Sequence, residues 1–299
     1  MKTKNTNFKV VWKVILIIIL TSTWIAVTVC AGFSGNKHID WYHADFPPGF
    51  ISTGESTNDG YENYLEKILR EGLPEFSHSY HSANYSRILQ QIKTSNACCV
   101  ALVRTPDREK YIEYSRPTMI ALPNGVIVRS DRIDDFKPFI DSNGYISIED
   151  VFNNSTFIMG VSKGRKYKGD IDKLLVENKG SPKIVVREGK DVLRGMLAMM
   201  ARNRHIDYTI GYAHELKWLN YVKKISADFV FIPIKEVPKY VVSQIGCTKN
   251  YWGKKVIKRI NAVLDENYNP EYKKRYQKFL TPEAVILHEK YIKEVFPTK

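Results

Sequence analysis

Cysteine is scarce in this chain, four in 299 residues, and no pair has the C-x-x-C spacing of a zinc ribbon or a thioredoxin-like redox motif. The seven histidines (His38, His43, His78, His81, His205, His214 and His288) are scattered, and none belongs to an H-E-x-x-H pattern. No Ser-His-Asp order, metal-ligand cluster or phosphate loop can be read, so neither a cofactor nor a metal is expected. Internal repeats and low-complexity linkers are absent too, which excludes a repeat array. Positive charge is plentiful, at a formal +13. It is nevertheless spread along the chain, with its densest cluster near the end at Lys254, Lys255, Lys258, Arg259, Lys273, Lys274 and Arg275. Without a zinc-finger, basic-zipper or RNA-binding signature, that cluster reads as a solvated helical surface and not as a nucleic-acid interface.

Acids are missing from the first 39 residues. Lys2, Lys4, Lys9 and Lys13 precede an apolar stretch from Val14 to Val29, and Val29-Cys30-Ala31 supplies a small-x-small site. This is the layout of a secretory signal peptide over residues 1–31, with a retained membrane anchor as the alternative reading. Either way the remainder is exported, and a periplasmic location is expected. Cleavage leaves 268 residues carrying +9, more than one compact core needs and comfortable for two lobes.

Cys98, Cys99 and Cys247 then lie in a compartment that permits disulfides. Adjacent strand residues point to opposite faces, so only one of the neighbouring pair can readily meet Cys247. One bridge is expected, Cys99–Cys247 or, with Cys98 in place of Cys99, Cys98–Cys247.

The pattern of periodicities is that of an α/β protein. Strands are predicted at Ile39–Ala44, Ser77–His81 and Ala97–Val103, with amphipathic helices at Tyr61–Leu69 and Tyr85–Lys93 between them. This β-α-β-α-β order implies a parallel sheet with right-handed crossovers. Extended runs at Met119–Leu122 and Val126–Arg129 lead to a second series. Its strands are predicted at Thr156–Val161, Lys183–Val186, Ile206–Gly211 and Phe229–Ile234, with helices at Asp170–Val176 and Asp191–Ala201. Val241–Cys247 reads as a return strand, and two or three basic, aromatic helices between Trp252 and Phe296 close the chain.

The segment Thr105-Pro106-Asp107-Arg108 through Tyr114-Ser115-Arg116-Pro117 follows the apolar Ala97–Val103 strand. Ligands of open α/β sheets bind just beyond the carboxyl ends of such strands. There Arg108 offers a forked, permanently charged donor suited to a carboxylate, and Thr105 can cap the turn while presenting a hydroxyl. The T-P-x-R pattern, a short spacer and aromatic-Ser-x-Pro resemble the signature of family 3 bacterial extracellular solute-binding proteins. That family is the amino-acid-binding class of ABC-transporter receptors. Trp41-Tyr42-His43-Ala44-Asp45-Phe46-Pro47-Pro48, Leu122-Pro123-Asn124-Gly125 and Gly211-Tyr212-Ala213-His214-Glu215-Leu216 are similar, in order and spacing, to a divergent branch of it. The resemblance runs from about Ile39 to about Leu264.

What the resemblance implies is a two-lobed periplasmic-binding-protein clamshell (type II), each lobe a mainly parallel sheet flanked by helices. Residues 36–122 with 238–299 would form a discontinuous first lobe and 123–237 a second, hinged near Ala121-Leu122-Pro123 and Val237-Pro238-Lys239. The expected protein is a monomer that closes around a small-molecule ligand and presents it to an ABC-transporter permease or a membrane sensor. By the same resemblance, Arg108 with Thr105 holds the ligand's carboxylate, and Phe46 supplies an aromatic wall. Gly164-Arg165 stands where the family has a Gly-Thr loop whose amides meet the carboxylate. Arg165 there suits a more acidic ligand, or faces water. The family's ammonium-binding Asp is replaced by Tyr212, which cannot neutralise an ammonium, with Glu215 three residues on as a substitute or as an ordinary first-turn acid. The alternatives to a binding protein are a dehydratase-like enzyme on the same fold, using Glu215 as its acid, and a membrane-tethered sensory module.

Overall fold

The structure, a computed structural model, describes residues 37–52, 57–189, 193–222, 226–266 and 270–296. The predicted signal peptide, residues 1–31, lies outside them. The chain runs β1 (His38–His43), α1 (Tyr61–Gly72), β2 (Ser77–Ser82), α2 (Tyr85–Thr94), β3 (Ala97–Val103), α3 (Pro106–Glu109) and β4 (Ile112–Ala121). It continues through β5 (Gly125–Arg129), α4 (Ile133–Phe136), α5 (Ile148–Asn154), β6 (Met159–Ser162), α6 (Asp170–Glu177), β7 (Ile184–Arg187), α7 (Arg194–Ala201), β8 (Tyr208–Gly211), α8 (Ala213–Tyr221) and β9 (Phe229–Pro233). After these come β10 (Val241–Thr248), α9 (Tyr251–Glu266), α10 (Pro270–Gln277) and α11 (Pro282–Val295).

Local chemistry accounts for the elements. In α1, Tyr61, Leu65 and Leu69 fall on one buried stripe, and in α2 Ile88 and Ile92 do the same. Asn84 caps α2 by accepting from the Arg87 amide at 2.9 Å. The β3 run Ala97–Val100 is wholly buried, as befits a strand covered on both faces.

Two five-stranded sheets result, ordered β2-β1-β3-β10-β4 and β7-β6-β8-β5-β9. In each, four strands run one way and one is reversed: β10 in the first, β5 in the second. The reversed strands are those that follow a crossing between the sheets. Apolar clusters cover both faces of each sheet. This is the two-lobed, mainly parallel arrangement expected, the first lobe completed by chain that returns after the second.

Two local expectations need correction. The strand predicted from Thr156 begins only at Met159, because the Ile158 amide is taken by the Asp207 carboxylate at 2.8 Å before the ladder starts. Beyond α3, β4 runs straight through Ser115 and Pro117 and ends at Ala121. Pro117 sits opposite Gln244 on an edge strand at a register shift, where a missing N–H costs the ladder nothing. The disulfide joins Cys98, and not Cys99, to Cys247. Cys247 lies directly opposite Cys98 in the antiparallel β3–β10 pair, so the two side chains share a face. Cys99 points into the cluster on the other side, where burial pushes its thiol up to about 12.

Candidate functional site

The lobes meet over a cleft of about 550 Å³, counting the solvent at its mouth. Its floor is the pair of neighbouring strands β4 and β10, presenting Met119, Ala121, Val241 and Ser243. Phe46, Tyr61, Glu62 and Arg108 come from the first lobe, and Arg165, Tyr212 and His214 from the second.

Arg108 is held at the end of β3 by α3, a single turn that Thr105 caps through its hydroxyl at 3.4 Å from the Arg108 amide. The residue as a whole is 4% exposed. It donates to the Val103 carbonyl at 2.8 Å and, across the cleft, to the Gly164 carbonyl at 2.9 Å. Among the described residues no carboxylate pairs with it, and these two bonds use two of a guanidinium's five N–H groups.

The second lobe arranges its charges differently. Arg165 is a buried partner of Glu215, forked across both oxygens at 3.2 and 2.7 Å. Phe46, Tyr167 and Tyr212 each hold a ring 5.1 to 5.3 Å from the guanidinium carbon. Asn124, at the crossing between lobes, accepts from Arg165 at 3.4 Å and donates to the Tyr167 carbonyl at 3.1 Å. Glu215 also accepts from the Tyr212 amide at 2.9 Å, closing the first turn of α8. Burial works against Arg165's charge, but Glu215, with smaller contributions from Tyr167 and Tyr212, holds its pKa above the ordinary guanidinium value. Burial lifts the Tyr212 phenol to about 12 against the opposing pull of Arg165. His214 is stacked on Tyr212 and lies 3.2 Å from the Tyr61 hydroxyl. Burial, then the positive charge of Arg165, lowers it to about 3, so it is a neutral ring.

Of the residues singled out from the sequence, Phe46, Arg108, Arg165 and Tyr212 come together at the cleft. Thr105 is the cap that positions Arg108. Gly164 contributes a carbonyl facing Arg108, while the Arg165 amide is spent on the Ser162 carbonyl at 3.2 Å. The loop thus offers an acceptor where amides were expected to meet a carboxylate. Gly164 has φ +78°, and a side chain there would press on Tyr85 and Ser86 of the other lobe, so the close approach needs glycine. Arg165 is buried and not turned to water, and Glu215 pairs with its guanidinium while the residue lines the cleft. Trp41 is core, wholly buried and donating to His78 at 3.0 Å.

Glu62, Tyr61 and Asn124 were missed as site residues. Glu62 is 2% exposed, and its Oε2 has no hydrogen-bond partner among the described residues. The available signal was its phase: positions 62, 65 and 69 share one helical stripe, and an acid in that stripe is out of place. Tyr276 of α10 was also unforeseen; its hydroxyl accepts from the Leu122 amide at 2.9 Å, pinning the crossing from the C-terminal side.

No family model matches the chain, and no curated protein matches it by sequence. Solved structures do. A histidine kinase sensor domain with similarity to periplasmic binding proteins aligns over 82% of this chain and 98% of its own, at 13% identity and a TM-score of 0.61. A mutant of the arginine-binding protein from T. maritima aligns over 81% and 95%, at 18% identity and 0.59. An ancestral amino acid-binding protein, a precursor of cyclohexadienyl dehydratase, aligns over 82% and 96%, at 16% identity and 0.58. At such identities the likeness concerns the fold. The chain has the two-lobed fold of the periplasmic binding proteins, in the form also found among amino-acid-binding receptors.

Proposed function

We propose that this is an exported, periplasmic solute-binding protein that captures a small carboxylate-bearing solute between its lobes. Residues 36–122 with 238–299 act as one lobe and 123–237 as the other, hinged near residues 121–123 and 237–239. The closed form is what a transporter permease or a membrane sensor would read. The observation that carries this reading is Arg108. A buried arginine sits on the cleft wall, its guanidinium bonded to two carbonyls and to no acid among the described residues, with donors left for a carboxylate. Its bond to Gly164 spans the lobes, so the group that would hold the solute also favours closure.

A dehydratase reading would need an acid free to move a proton. Glu215, its candidate, has both oxygens committed to Arg165 and one also to the Tyr212 amide, which favours binding over catalysis.

A thermal-shift screen of small organic acids and amino acids tests the proposal, since a ligand that binds only the folded state raises its stability. Arg108→Ala is expected to abolish the shift produced by any carboxylate that stabilises the wild type, while the unliganded melting temperature stays within a few degrees, about 1–2 kcal/mol. An unchanged shift in the variant would remove Arg108 from the site.

A further inference from the structure

The cleft holds a second buried group that the reading above does not use. Glu62 lies in the first turn of α1 and lines the same cleft as Arg108. Buried polar atoms are almost always paired, and each exception asks for an explanation. The helix N-terminus does not supply one: the amides of Tyr61, Glu62 and Asn63 are taken by the Pro48 and Gly49 carbonyls at 3.2, 3.0 and 3.4 Å. Nor does a neighbouring cation, since among the described residues Glu62 is in no salt bridge. The cleft's other nearby acid, Glu215, is already bound to Arg165. Glu62 is therefore the acid of the cleft with an uncommitted oxygen, and it faces a space whose wall also carries Arg108.

We propose that Glu62 is a ligand-contacting residue that receives the cationic, ammonium-type group of a solute whose carboxylate lies on Arg108. This rests on the solute-binding reading and narrows its ligand to small molecules bearing both charges.

The pairing is coupled to a proton. Burial, and then the charge of Glu66 one turn on, pushes the Glu62 carboxyl up to about 8, so at neutral pH it is protonated. An arriving ammonium stabilises the carboxylate, the O–H proton leaves to solvent, and a neutral acid with a cation becomes an ion pair plus one proton. The groups around Glu62 do not mask this. On its own helix are Tyr61 and Glu66; Cys99 faces it from β3 and Tyr272 from α10. Arg108, Tyr85, Arg165, Lys166, Tyr212 and His214 complete the cleft. The tyrosines and Cys99 are raised by burial, and His214 is lowered to about 3.

The test is calorimetry at about pH 6.5 in two buffers of different ionisation enthalpy, which counts protons released on binding. The probes are matched pairs differing only in the ammonium: L-alanine with propanoate, L-phenylalanine with 3-phenylpropanoate, and L-arginine with 5-guanidinopentanoate. In at least one pair the amino acid is expected to bind about tenfold or more tightly than its deaminated partner, releasing close to one proton. Glu62→Gln should lose both the preference and the proton while still binding the deaminated acid. If the deaminated acids bind the wild type as well as the amino acids do, or no proton is released, the assignment of Glu62 falls and the solute-binding reading stands. A Glu62→Gln variant that keeps preference and proton release has the same consequence. Should that variant not fold, the wild-type proton count and the matched pairs decide alone. If no probe binds the wild type, this proposal and the carboxylate-capture reading fall together.

Discussion

The two walls of the cleft use the same kinds of charged residue to opposite ends. On the second lobe, Arg165 and Glu215 satisfy each other, with Asn124 and three aromatic rings closing the shell. On the first lobe, Arg108 is bonded only to carbonyls among the described residues, and Glu62 Oε2 to nothing described. A buried pair that is complete holds a shape, whereas buried groups left incomplete are costly unless something else completes them. Charge in a cleft is thus no guide to recognition until its partners are counted.

The largest effect should come from breaking the complete wall. Glu215→Gln strands the Arg165 charge in a buried site and is expected to cost about 3–5 kcal/mol in denaturant unfolding, whereas replacing both by apolar residues (Arg165→Met with Glu215→Leu) should recover most of it. If the single variant were neutral, the second wall would not be a closed unit. Next comes Cys98→Ser. It removes a bridge lying wholly within the first sheet, should cost about 2–4 kcal/mol, and should separate first-lobe unfolding from that of the second lobe in calorimetry.

The incomplete wall gives a smaller, pH-dependent effect. Glu62 is raised from an ordinary 4.5 to about 8. Between those values the unfolded chain is ionised and the folded one is not, so stability from this group falls as pH rises through that window and levels off above it. Glu62→Gln should therefore gain on the wild type from about pH 5 to about pH 8, by on the order of 1–3 kcal/mol, read as a growing difference in melting temperature. A constant difference would mean that the carboxyl already has a partner.

Much of the fold was legible in the sequence because it is carried by local periodicity: the stripes of α1 and α2 and the unbroken apolar run of β3 mark their elements without help. The cysteine choice was not, since alternation says that Cys98 and Cys99 face apart but only the register with β10 says which of them meets Cys247. The pairing of Arg165 with Glu215 was hidden for a related reason. The two lie 50 residues apart, and no local pattern announces a pairing made by folding. Glu62 lies in a helix's first turn, where acids normally belong, and that placement hides its buried phase. Arg108 was legible because strand end, cap and forked donor all lie within a dozen residues.

The Cys98–Cys247 bond spans 149 positions, and the second sheet lies entirely between its ends. Covalently, then, the second lobe is part of a ring clasped at the first. A single cut by a protease anywhere on that ring releases nothing: both fragments stay tethered at their clasp, and the first sheet keeps its strands. Limited proteolysis should accordingly yield nicked protein that migrates as one species without reductant and parts into two with it.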